Sequence, residues 1–145
     1  MKSEDSPCTG EPIAKYATVQ ASRRLNRFAF ELRRAAKSGD ADAIHDLRVS
    51  IRRLSQCLRV FGQFFPARDS RKIRRRLRLT MDMAAELRNR DITLTLLNEA
   101  GAGADTPLCR KIAEDRKEAE REFIDSIRRW GRREFSAKWR RRLRL

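Results

Sequence analysis

Histidine occurs once in this chain of 145 residues, cysteine three times and glycine six times, and these shortages remove several kinds of chemistry. Cys8, Cys57 and Cys109 are odd in number, far apart and unaccompanied by other ligand clusters. Neither a disulfide framework nor a zinc site is supported by that spacing. Cys57 falls toward the apolar side of its segment and reads as a small buried hydrophobe. No apolar stretch approaches the roughly 18 residues of a membrane span, and Met1-Lys2-Ser3-Glu4-Asp5 lacks the apolar region of a signal peptide. A reducing cytoplasm is the expected compartment. The sequence holds no phosphate-cradling glycine loop, no paired-carboxylate metal constellation and no nucleophile–base pair. It therefore reads as a non-enzyme with no metal and no cofactor.

Negative charge is the other shortage. Thirty-five Lys and Arg residues face 20 Asp and Glu, a formal net charge of +15. Such an imbalance opposes compaction through self-repulsion, so a polyanionic partner that relieves it is the leading explanation. Nucleic acid, inorganic polyphosphate and an anionic membrane surface all qualify, and the length suits one globular domain.

Strand-like alternation is also scarce, and four long segments carry helical spacing instead. Thr9-Gly10-Glu11-Pro12 offers an N-cap and a first-turn proline for a helix to about Lys37, with Tyr16, Val19, Leu25, Phe28, Leu32 and Ala35 as its apolar positions. Gly39 stops it, and Asp40, Asp42 and Asp46 crowd the positive end of a second helix that ends near Phe65-Pro66. Asp69 or Ser70 caps a third helix with Ile73, Leu77, Met81, Ala84 and Leu87 as its stripe. Ile92-Thr93-Leu94-Thr95-Leu96-Leu97 reads as its continuation. Beyond the connection from Gly101 to Pro107, Leu108, Ile112, Ala119, Phe123 and Ile127 mark a fourth helix ending at Gly131. Phe135, Trp139 and Leu143 mark a short amphipathic fifth. The expected fold is all-α, an antiparallel four-helix bundle with a short extra C-terminal helix. Residues 1–10 form a loose N-terminal segment and 11–145 a single domain.

The lone histidine lies in Ile44-His45-Asp46-Leu47-Arg48-Val49-Ser50-Ile51-Arg52-Arg53-Leu54. At about 100° per residue, His45, Arg48, Arg52 and Arg59 share one narrow stripe. Ile44, Leu47, Ile51, Leu54, Leu58 and Phe61 fill a broad face beside it, so the helix can sit in a core while holding up its cations. Arg71, Arg74, Arg75 and Arg78 form a second cationic ladder on the third helix. Arg27 stands out among the basic residues of the first. Trp130 and Trp139 suit packing better than base stacking at their spacing, and Asp91 suits orienting Arg88 or capping a helix.

The run from His45 to Leu54, followed by Arg71-Lys72-Ile73-Arg74-Arg75-Arg76-Leu77 and by Leu87-Arg88-Asn89-Arg90-Asp91-Ile92, resembles the CHAD family, the conserved histidine α-helical domain, over roughly residues 13–143. The resemblance implies an all-helical, non-catalytic domain of bacteria or archaea whose basic surface binds inorganic polyphosphate. Position by position, His45, Arg48, Arg52, Arg53 and Arg88 match the family pattern, and Arg71, Arg74, Arg75 and Arg78 match its basic third helix more loosely. Two departures stand out: Ser55 replaces a frequent basic residue, and Asn89 replaces the first aspartate of the downstream segment. Family members usually contain two such bundles, whereas this pattern occurs once. Either one bundle works alone, or two chains pair as a two-fold homodimer, which is the expectation.

Guanidinium groups one helical turn apart can engage successive phosphates of a flexible chain, often through two hydrogen bonds each. The expected function is thus polyphosphate binding through basic helix faces, serving targeting or scaffolding at polyphosphate granules, with His45, Arg48, Arg52, Arg53, Arg59, Arg71, Arg74, Arg75, Arg78, Arg88 and Arg27 as contacts. Nonspecific nucleic-acid binding is the nearest alternative, since arginine ladders accept any phosphodiester backbone. A histidine phosphotransfer domain is the second, although Val49 stands where such domains carry glycine.

Overall fold

The structure, a computed structural model, describes residues 10–132 and 134–145, with the side chains of 10–131 and 134–145. The expected loose segment lies outside these residues except for Gly10, as do Cys8 and the Thr9 cap. Gly10 is already helical. Five α-helices follow: α1 (Gly10–Ser38), α2 (Ala41–Val60), α3 (Ala67–Glu99), α4 (Pro107–Arg132) and α5 (Phe135–Leu143), with a 3-10 turn at Gly62–Phe64 between α2 and α3. No strand occurs among the described residues, and Ile92 to Leu97 continue α3 as expected.

Helix α1 packs along α2 and α4, α3 packs along α4 and α2, and α5 touches α1 and α3. The core runs through Leu25, Phe28 and Leu32 of α1, Leu47, Ile51, Leu54 and Leu58 of α2, Ile73, Leu77 and Leu87 of α3, and Phe123 and Ile127 of α4. Phe28, Trp130, Phe135 and Trp139 form an aromatic cluster with ring centroids 5.2 to 5.9 Å apart. Such pairs contribute about 0.5–1.5 kcal/mol each beyond area burial. Both tryptophans are core residues here. Arg140 also ties α5 to α1 by donating to Ser22 Oγ at 2.9 Å and to Asn26 Oδ1.

Helix boundaries follow local chemistry. Gly39 takes φ +60°, and a Cβ placed there would lie 3.1 Å from Ile124 Cδ1 of α4. Glycine therefore serves both the left-handed turn and the close approach of α4. The Asp40 carboxylate then accepts from the Ala43 N–H at 2.7 Å, capping α2.

Four expectations need correction. Tyr16 and Val19 are exposed, because Ala17 and Ala21 face the core and let α1 approach closely, while Tyr16 rests edge-on against Phe61 at 5.8 Å. Leu108 is exposed for the same rotational reason, with Cys109 turned inward. Helix α2 stops at Val60 rather than near Phe65-Pro66, because the chain tightens into the 3-10 turn before the proline. Helix α3 begins at Ala67 with Pro66 at the N-cap position, so Asp69 lies within its first turn and Ser70 is buried; neither caps it.

Candidate anion-binding site

Of the adjacent long-helix pairs, α2 and α3 meet least closely. A groove of about 370 Å³ opens between them, lined by His45 and Arg48 from α2 and Arg88, Asp91, Ile92 and Leu96 from α3, with Arg116 of α4 at its edge. The sequence puts these groups there for a simple reason. Ile44, Leu47 and Ile51 are drawn into the core, which carries His45 and Arg48, one step around the helix, to the groove.

Arg48 is half-buried, and its Nε is buried without a hydrogen-bond partner among the described residues. Burial, followed by repulsion from Arg88 and then Arg52, depresses its pKa from the ordinary guanidinium value. Arg48 therefore feels the charge of Arg88 from α3 and of Arg52 from its own helix. Arg52, Arg88 and His45 are exposed. Among the described residues, no carboxylate lies within ion-pair distance of any of the four.

Glu99 also lines the groove, while Glu86, Asp91 and Asp46 are engaged elsewhere. Glu86 Oε2 holds Arg90 at 2.7 Å. Asp91 pairs with Arg116 of α4, not with Arg88 as its position along α3 suggests, and Arg116 also holds Glu120 at 2.7 Å. Asp46, next to the histidine, accepts from Arg34 of α1 at 2.6 Å. That hydrogen bond holds the Asp46 carboxyl below the ordinary carboxylate value, against partial burial, with the Arg34 and His45 charges assisting.

The remaining expected contacts are dispersed. Arg71, Arg74, Arg75 and Arg78 line their own recess on α3, so the second ladder does not close the His45 groove. Arg53 lies in a recess with Tyr16, Arg24 and Phe61 on the α1 side of α2. Arg59 is exposed near the far end of α2. Arg27 is ion-paired: its Nη2 lies 2.6 Å from Oε1 of Glu31 without hydrogen-bond alignment, and its guanidinium sits over Phe30. Glu31 itself is fully buried and also holds Arg34 at 3.2 Å. Pattern reading missed Glu31 and Arg116. The Arg27/Glu31 and Arg116/Glu120 spacings of four residues were the available signals.

A family model described as CHAD domain matches residues 20–145 of this chain. No curated protein and no solved structure matches it.

Proposed function

The chain belongs to the CHAD domain family, a family associated with polyphosphate binding, and from that premise we propose that it binds inorganic polyphosphate without turnover. The observation that carries this reading is the meeting of Arg48 and Arg88 beside His45 in one groove, with Arg48 repelled by Arg88 and Arg52 and none of these arginines within ion-pair distance of a carboxylate among the described residues. A chain of phosphates threading the α2–α3 groove would relieve that repulsion and supply acceptors to Arg48 Nε. The recess of Arg71, Arg74, Arg75 and Arg78 would take a further stretch of the same ligand, and Arg53, Arg59 and Arg27 would act at its periphery. The same proposal assigns it targeting or scaffolding at polyphosphate granules in the cytoplasm, and takes α1 to α4 as an antiparallel four-helix bundle carrying α5 as an extra helix, all within a single domain from residue 11 to 145.

Competition tests it. Long-chain polyphosphate is expected to displace labelled RNA or DNA far better, per phosphate, than either displaces polyphosphate at physiological salt. Equal displacement per phosphate would make the protein a general polyanion binder. A two-fold homodimer belongs to the same proposal, and sedimentation as a clean 17.0 kDa monomer at micromolar concentration would remove it.

A further inference from the structure

A second cleft, larger than the α2–α3 groove at about 610 Å³, lies where α3, α4 and α5 meet. Five cations line it: Lys72 and Arg76 from α3, Arg129 from α4, and Lys138 and Arg142 from α5. Among the described residues Glu134 is the one carboxylate in the lining. Among the described residues no carboxylate lies within ion-pair distance of the first four cations, and Arg142 reaches Asp69 only at 4.0 Å.

The floor is aromatic and closely packed. Trp130 and Trp139 are each 6% exposed, and the Arg76 guanidinium sits over the Trp130 ring at 4.8 Å. An arginine held over an indole has already lost much of its side-chain freedom, so less is lost when it meets an anion. Cations converging on one concavity from three helices differ from a ladder along one helix. Their repulsion is relieved best by a small group of high charge density at the centre.

We propose that this cleft is a second anion site, taking a compact anion with at least two linked phosphoryl groups. The inference is independent of polyphosphate binding in the α2–α3 groove. A duplex backbone spreads its phosphates over a convex surface and fits a three-sided concavity poorly, so a free phosphorylated anion is the expected occupant.

Calorimetric titration of the full chain with inorganic pyrophosphate tests this, using two double variants of exposed residues: Lys72→Gln with Lys138→Gln, and Arg52→Gln with Arg88→Gln. Saturable binding is expected in the parent, weakened about tenfold or more in the first variant and retained in the second. Three results would each overturn the proposal: no saturable binding, equal weakening in both variants, or displacement of pyrophosphate by a duplex oligonucleotide at equal phosphate concentration. Because polyphosphate binding is measured separately on the same variants, failure of the cleft and failure of the groove are distinguishable.

Discussion

The carboxylate of Asp91 reaches across to Arg116 of α4 instead of along its own helix to Arg88. That choice of partner fastens α3 to α4 and leaves Arg88, which lines the groove with Arg48, without a carboxylate in ion-pair distance among the described residues. Removing Arg88 should therefore move binding and stability in opposite directions. Arg88→Gln is expected to weaken polyphosphate binding about tenfold, as loss of a charge-assisted phosphate contact does. It should also raise stability by about 0.5 kcal/mol or less, because repulsion on Arg48 is relieved. Binding titrations and urea unfolding on the same variant check both, and a variant that binds as the parent does would count against the groove.

Asp46 predicts a pH dependence. Its folded-state pKa lies below the ordinary value because Arg34 hydrogen-bonds the ionised form. The contribution is therefore present above the unfolded carboxylate value and lost as pH falls through the folded one. Asp46→Asn should lower stability at neutral pH, and the gap between parent and variant should close in acid, below about pH 4. Chemical denaturation across that range measures the gap. A gap unchanged in acid would show that the ion pair is not its source.

Salt and histidine chemistry probe the ligand contacts directly. Polyphosphate affinity should fall steeply as salt rises, through counterion release, and the dependence should be shallower in Arg52→Gln. His45→Ala should weaken polyphosphate binding at neutral pH through loss of one hydrogen-bond donor. An affinity identical to the parent's would dismiss His45 as a contact.

Helix α5 should be integral to the fold. Trp139 stacks on Phe28 with an interplanar angle of 8° and contacts Trp130 and Phe135. Trp139→Ala should cost about 3–5 kcal/mol by urea unfolding, the usual range for emptying a large aromatic site in a core. If the fold survives, polyphosphate binding in the α2–α3 groove should persist.

Cys57 should be slow to react. Burial raises its thiol pKa, with only a partial offset from Arg24, and Cys109 is buried as well. In a Cys8→Ser variant, labelling by a thiol reagent at neutral pH should be far slower in the native state than in urea. Rapid native labelling would mean that these sites open readily.

The amphipathic pattern was enough to show five helices and most of their inward faces, because burying one stripe of a helix is a local demand written at 3.6-residue spacing. Gly39, Asp40 and the Phe135-Trp139-Leu143 triplet were legible for the same reason, since turns, caps and short apolar stripes are made by neighbouring residues. The stripe carrying His45 was equally readable, but not that the third-helix basic run lines a recess of its own. Rotation was less so: Tyr16 and Val19 are as apolar as Leu25, yet only the proximity of α2 and α4 makes alanine the better inward residue there.

Charge alone pointed to a polyanionic partner, and periodicity alone determined that the chain is helical. Only the tertiary structure decided which cations act together. It set Arg48 against Arg88, carried Arg53 and the Arg71 to Arg78 ladder to other faces, and gathered Lys72, Arg129 and Lys138 into a cleft that no run of sequence announces. The reason is physical. Helical spacing is set within a few residues, whereas electrostatic grouping depends on the distance and rotation between helices far apart in the chain. An arginine counts as available only after every carboxylate within reach has taken its partner.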